Sequence, residues 1–359
     1  MKNKKNQEKK FSAGIFFLIF FLLILISGCK GKKDVKKSLE DIRTGTQGIV
    51  FSFLQNAPPD TIHTQDGSDN TFDVILELKN KGAYPQPGEA GEGKNAPHGL
   101  IILSGYDNRI IQFGDGDAAA SQYFSDKALE GKSIINTNGG LDILIFKGKV
   151  SVDNLCTEKY APTLLATACY PYKTVAGPSV CIDPNPYSTF SQKKVCQVSG
   201  VSLSNQGAPI AVTKIDEEAF DGRTQFKITI KNVGGGDVFM GLGGVFIDKC
   251  LVLQRNDIDK VYIEGITLGN SPLKCRPFLD TADGNSGTIR LINGEGFILC
   301  DFSGYDKSST AYTTPLTIKL SYQYRNTAEK KIQIRREMTS DARSTCGTTS
   351  AFEGYNPYQ

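Results

Sequence analysis

Nine cysteines, two histidines and scattered carboxylates are the side chains of this 359-residue sequence whose type and spacing could do chemistry. Zinc wants four nitrogen or sulfur ligands at short paired spacings. The sequence has no C-x-x-C, and His63 and His98 lie far from any cysteine, so no metal site is expected. Both histidines sit in polar, loop-like stretches and are read as solvated, which leaves no Ser-His-Asp triad. No G-x-S-x-G, H-E-x-x-H or P-loop occurs. Gly114-Asp115-Gly116-Asp117 and Asp280-Thr281-Ala282-Asp283-Gly284-Asn285 offer oxygen atoms to Ca²⁺. Leu291, however, stands where an EF-hand loop would place its twelfth-position carboxylate, so both stretches are read as polar turns. No carboxylate pair stands out as a glycosidase would require, and sugar-stacking Trp is absent. The expectation is a protein with no catalytic residues and no cofactor.

The cysteines are left for disulfide chemistry, which needs an oxidising compartment. Setting Cys29 aside leaves eight, an even number. Cys156, Cys169, Cys181 and Cys196 fall in the first half, and Cys250, Cys275, Cys300 and Cys346 in the second. Four cysteines allow three pairings, so each half could close on itself. A hairpin turning near Val175-Ala176 favours Cys169 with Cys181, leaving Cys156 with Cys196. In the second half the favoured pairs are Cys250 with Cys275, and Cys300 with Cys346, the last pinning the tail to a core strand. Each bridge would add about 2–4 kcal/mol.

Cys29 has a different setting. Lys2, Lys4, Lys5, Lys9 and Lys10 precede an apolar run from Phe11 to Ile26, which ends in Ile26-Ser27-Gly28-Cys29. Those four residues resemble the lipobox of prokaryotic lipoproteins. The resemblance implies cleavage before Cys29, a diacylglycerol on its sulfur, and an anchor on the outer face of the cell membrane. A retained N-terminal helix is the other main reading, since Lys30, Lys32, Lys33, Lys36 and Lys37 blur the positive-inside rule. A pilin-like leader cut near Lys10-Phe11 is a third. Either of the two main readings places most of the chain outside the cytoplasmic membrane. Formal charge is +3, but ten lysines lie between Lys2 and Lys37. The remainder is acidic and carries no nucleic-acid signal.

The elements that must position these residues are strands. Val74 to Gly82 alternates and stops at Asn80-x-Gly82, and Phe226 to Gly234 does the same, ending at Asn232-x-Gly234, 152 residues later. The same spacing relates Tyr170-x-Tyr172 to Tyr322-x-Tyr324. A weaker match pairs Leu129-Glu130-Gly131 with Ile263-Glu264-Gly265 at a spacing of 134. The shared spacing predicts two homologous domains. Alternation with one apolar face is the pattern of an antiparallel sandwich. Gly82 and Gly234 are expected to turn the chain with positive φ, with Asn80 and Asn232 hydrogen-bonding locally. The tyrosines are read as core, with hydroxyls bonded to backbone at a corner. Further strands are expected at 48–54, 99–103, 142–150, 208–215, 245–247 and 295–302. Hairpin partners for the Tyr strands are expected at 177–182 and 332–334. Helix is expected only in fragments such as 118–126.

Tandem strands ending in N-x-G on an exported chain resemble the CARDB-like and related Ig-like adhesion modules of archaeal and bacterial surface proteins, with an archaeal flavour. The resemblance spans roughly residues 48–340. It implies an all-β protein of two tandem immunoglobulin-like β-sandwiches after an N-terminal hydrophobic helix. The layout would be a signal or anchor at 1–28, a basic tether at 29–47, domain one at 48–183, a linker at 184–207, domain two at 208–346 and a tail at 347–359. The function implied is non-enzymatic binding, adhesion or envelope structure with another surface protein as partner. An accessory or solute-binding lipoprotein is the alternative.

Overall fold

Every second residue of Thr71–Asn80 is buried, Phe72, Val74, Leu76, Leu78 and Asn80, and the segment forms a strand. That is the alternation expected of a strand with one face in a core. The structure is a computed structural model and describes residues 42–65, 68–86, 99–114, 120–124, 128–155, 157–188, 194–240, 250–304 and 310–337. Among them the chain is all-β. In the first half the strands are β1 Ile49–Phe53, β2 Thr61–Thr64, β3 Thr71–Asn80, β4 Gly99–Ser104, β5 Ile111–Phe113, β6 Ser121–Phe124, β7 Leu141–Val150, β8 Lys159–Tyr160, β9 Thr163–Ala176 and β10 Ser179–Ile182. The second half adds β11 Val201–Ser202, β12 Ile210–Phe220, β13 Arg223–Asn232, β14 Asp237–Phe239, β15 Lys260–Leu268, β16 Ser271–Pro272 and β17 Lys274–Arg276. It ends with β18 Gly287–Arg290, β19 Glu295–Phe302, β20 Tyr312–Lys331 and β21 Gln333–Arg336.

Each half keeps a small antiparallel sheet, in the order β1-β3-β7-β5 in the first and β11-β12-β13-β19-β17 in the second. The trio β1-β3-β7 corresponds to β12-β13-β19. Val74 lies opposite Phe146 in one, and Phe226, 152 residues on, lies opposite Cys300 in the other. The halves meet in a nine-stranded sheet along β16-β15-β20-β9-β4-β6. Its centre is β9 against β20, antiparallel from Thr163↔Lys331 to Ala176↔Ile318. Tyr172 faces Tyr322 and Tyr170 faces Tyr324, on either side of the Pro171–Gln323 pair. The matched residues therefore exchange across a local two-fold axis through that pair. Residues Ser38–Gln359 form one compact unit, and buried residues of both halves join one sandwich-like core.

Several expectations change. Strand β15 pairs with β20 as β4 pairs with β9, so the counterpart of Ile263 is Ile101. Leu129 to Gly131 lies outside any strand, and its match to Ile263–Gly265 has no structural meaning. The expected helical fragment 118–126 contains strand β6, because pairing of Ser121–Phe124 with β4 outweighs local helix preference. No chain reversal occurs at Val175-Ala176. Strand β10 continues the line of β9 in the same register on β20, with Ala176 opposite Ile318 and Ser179 opposite Pro315. Pro178 lacks an N–H, but its carbonyl accepts one from Leu316 at 2.8 Å, so the ladder is interrupted without turning. Strand β21 likewise pairs with β2 and β8 rather than folding back on β20. Residues 245–247 and 1–41 lie outside the described residues.

Candidate functional site

The repeat motifs meet in two polar knots of the same wiring. Strand β3 delivers Asn80, whose Oδ1 accepts the Gly82 N–H at 3.0 Å and the Tyr172 hydroxyl at 3.1 Å. Its Nδ2 donates to the Tyr84 and Leu129 carbonyls, each at 2.7 Å. The Tyr84 N–H donates to the Tyr172 hydroxyl at 3.2 Å. In the second knot Asn232 Oδ1 accepts the Gly234 N–H at 3.3 Å and the Tyr324 hydroxyl at 3.1 Å. Its Nδ2 donates to the Gly236 carbonyl at 2.7 Å, and the Gly236 N–H donates to the Tyr324 hydroxyl at 2.6 Å. Asn and Tyr stand 92 residues apart in both. Tyr170 donates to the Ile49 carbonyl at 3.0 Å, and the Tyr322 hydroxyl accepts the Ile210 N–H at 3.4 Å. Burial drives all four phenols above their ordinary pKa, Tyr324 to about 12. They are neutral posts between sheets, with no free face for a ligand.

The two glycines do something other than expected, for neither has positive φ. A Cβ on Gly82 would lie 2.0 Å from the Tyr172 hydroxyl and 2.5 Å from the Gly207 carbonyl. One on Gly234 would lie 2.5 Å from both the Tyr324 hydroxyl and Pro209 Cβ. Space, not backbone freedom, demands glycine there.

Among the described residues three disulfides are present, Cys169–Cys250, Cys181–Cys196 and Cys275–Cys300. The favoured pairings are corrected. Cys169 and Cys181 lie on one straight strand line, roughly 40 Å apart at about 3.3 Å per residue, so they cannot bond. Cys169 instead bridges to Cys250 in the other half, and the halves do not each close on themselves. Cys275 and Cys300 face each other on β17 and β19, which excludes Cys250–Cys275 and Cys300–Cys346. Cys196 goes to Cys181, which excludes Cys156–Cys196. Cys29, Cys156 and Cys346 lie outside the described residues, as do His98 and Asp115 to Asp117. His63 is exposed on β2. The Asp280 carboxylate accepts the Thr288 N–H at 2.9 Å and its hydroxyl at 2.8 Å. Burial opposes its charge, but those bonds outweigh it and hold the pKa below the ordinary value. It caps a turn. No cluster of three or more metal-ligating side chains occurs among the described residues.

Two features were not singled out in the sequence. The first is the edge of β7 away from β3. Strand β5 covers this edge only at Gly148 to Val150, and among the described residues no strand pairs with Leu141–Lys147 on that side. Ile75 bonds to the far side of β3, through Ala57 and Leu54. Its partner Ile145 therefore aims its own backbone groups outward. The Gln122 side chain covers the Ile145 carbonyl at 2.7 Å, the Gly114 N–H covers that of Lys147 at 3.2 Å, and the Ile143 N–H donates to Asp142 Oδ1 at 2.8 Å. Leu141, Ile143 and Ile145 are about half exposed along this edge. In the second half β17 and its disulfide cover the matching edge of β19 at Leu299 to Asp301. A signal was present, because D-I-L-I-F is apolar in both strand phases.

The second feature is a cleft of about 500 Å³ beside Cys181–Cys196, lined by Asp183, Lys194, Glu217 and Phe220 among others. Strand β12 carries a bulge between Val212 and Lys214 that shifts its phase. This turns Ile215 and Glu217 inward, a position illegible without the bulge. Burial pushes the Glu217 carboxyl up to about 7.

No family model matches the chain, and no curated protein matches it. Among solved structures, the Fcho1 Mu homology domain of Danio rerio with bound Eps15 peptide aligns over 82% of this chain and 96% of its own, at 7% identity and TM-score 0.14. A chain named BspA_C_mut aligns over 80% and 97%, at 9% identity and TM-score 0.16. The collagen-binding domain of Erysipelothrix rhusiopathiae surface protein RspB aligns over 82% and 90%, at 11% identity and TM-score 0.11. Scores this low carry no argument about fold or function. No described helix is long and apolar enough to cross a membrane.

Proposed function

We propose that this chain is a membrane-anchored, extracytoplasmic binding protein without catalysis of its own, built from two immunoglobulin-like sandwich units. The observation that carries the reading is the edge of β7, where no strand among the described residues pairs with Leu141–Lys147. Such an edge, with apolar side chains at alternate positions, can accept an added strand that takes over the bonds now made by the Gln122 and Asp142 side chains. Its occupant is an extended segment of another envelope or surface protein, with apolar residues at alternate positions to meet Leu141, Ile143 and Ile145. Three disulfides support an oxidising compartment. The lipobox-like Ile26 to Cys29 supports attachment through lipid on Cys29, with a retained N-terminal helix as the other form of anchor.

The test uses the chain extracted from native membranes. Its intact mass should start at Cys29 with a diacylglycerol adduct. A photo-crosslinking residue at Ile143 should give one discrete adduct with an envelope protein, and the same residue at Asp73 should not. An adduct with a second copy would make the role self-assembly within the envelope. Equal, diffuse labelling from both positions would sink the edge as a binding surface. A second reading, an accessory or solute-binding lipoprotein, draws on the carboxylate-lined cleft at Glu217.

A further inference from the structure

Glu217 occupies a core-facing position yet carries a carboxylate. It is 7% exposed. Its Oε2 accepts the Cys181 N–H at 3.3 Å, while Oε1 is buried with no hydrogen-bond partner. Buried polar atoms are normally satisfied, and buried carboxylates normally meet a cation. Here the chain leaves one oxygen wanting, at the wall of the cleft that Glu217 lines. The Cys181 N–H accounts for Oε2 but not for Oε1.

The cleft also shows what it accepts. Lys194 places its ammonium on Asp183 Oδ2 at 2.5 Å and on the Asn185 carbonyl at 3.1 Å. The Cys181–Cys196 bridge holds that segment against β10. Lys194 uses up Asp183, whereas among the described residues neither Glu217 nor Glu218 has a cationic partner. Both line the cleft, with Phe220 and Pro186 as apolar wall. A positive head on a short hydrocarbon stem would meet both the carboxylates and this apolar wall. A metal ion fits less well, since no three ligating side chains converge among the described residues.

We propose that this cleft binds a primary alkylammonium group, whose charge meets Glu217 and whose methylenes lie along Phe220 and Pro186. A rotation about the last bond of Glu217, a soft torsion, presents Oε1 to the ligand. With a cation in place the carboxylate is paired. Without one, burial holds it near its titration point. The group could belong to a free diamine or to a lysine side chain of a partner protein.

Titration calorimetry on the full-length chain at pH 8 separates these, with 1,4-diaminobutane and doubly capped lysine as probes and 1-butanol as uncharged control. Saturable binding of at least one amine and none of butanol is expected. Glu217→Gln, which keeps the shape, should weaken it at least tenfold, and Glu295→Gln on a distant strand should leave it unchanged. Tighter binding of the diamine assigns the site to a diffusible solute. Tighter binding of capped lysine assigns it to a protein partner. Absence of binding by both amines overturns the proposal, as does full affinity in Glu217→Gln. On the wild-type chain, amide NMR shifts on adding amine must centre on Cys181 and Glu217, and shifts elsewhere overturn it too.

Discussion

At the scale of single residues, the two N-x-G motifs show how identical sequence signals can be right in place and wrong in reason. Glycine after a strand suggests a left-handed turn, yet Gly82 and Gly234 are selected by what stands above them, a tyrosine hydroxyl arriving from 90 or so positions later in the chain. The asparagines behave as local hydrogen-bonding logic expects, each accepting an N–H two residues on. Their tyrosine partners were legible as core but not as partners of those asparagines, because spacing alone does not bring β9 over the end of β3. Gly82→Ala should cost about 3 kcal/mol or more, since two of the three atoms a Cβ would strike are backbone and cannot yield. Gly177→Ala, with nothing within 4 Å of a Cβ, should stay within about 0.5 kcal/mol. Urea midpoints of the two variants check the contrast.

At the scale of elements, Pro178 and the disulfides belong to one account. A turn near Val175-Ala176 would have brought Cys181 back to Cys169, but Gly177-Pro178 makes none. Strand β20 is long enough to pair with β9 and β10 in succession, so the proline is absorbed as a gap in a ladder. Cys169 is then free to reach Cys250, with the buried Phe239 packed beside the bridge. The spans differ, 81 residues for Cys169–Cys250 and 15 for Cys181–Cys196. Loop-closure entropy puts these at about 4.5 and about 3 kcal/mol. Double alanine variants of each pair, compared in urea, should show the larger loss for Cys169 and Cys250. The reverse order would mean that native packing, not chain entropy, sets the value of these bridges.

At the scale of the whole molecule, β9 against β20 decides how the halves behave. Each contributes its longest strand to the shared sheet, and the four tyrosine rings pack at a tilt across the local axis, with centroids 6.0 Å apart for Tyr170–Tyr324 and 6.3 Å for Tyr172–Tyr322. Tyr172 and Tyr322 come from different halves, and so do Thr174 and Ile210, joined by a hydrogen bond of 2.6 Å. Neither half can bury this strand alone. Residues 38–193 and 194–359 expressed separately should fail to fold, and co-expressed they should recover the shared sheet. The intact chain should unfold in one transition with equal calorimetric and van't Hoff enthalpies. Two calorimetric peaks would show that each half holds its own core.

Alternation, turn residues and the 152-residue spacing were enough to read an all-β chain and to find β1, β3, β7, β12, β13, β19 and the Tyr strands, because those signals act between neighbours along the chain. The even set of eight cysteines pointed to disulfides by the same local reasoning. Which cysteines pair, that no described strand pairs with Leu141–Lys147 on the outer side of β7, that Glu217 faces inward and that two repeats share one sheet were settled only in three dimensions. Each depends on contacts between residues far apart in sequence, where a one-residue bulge or an uninterrupted strand line changes every partner downstream.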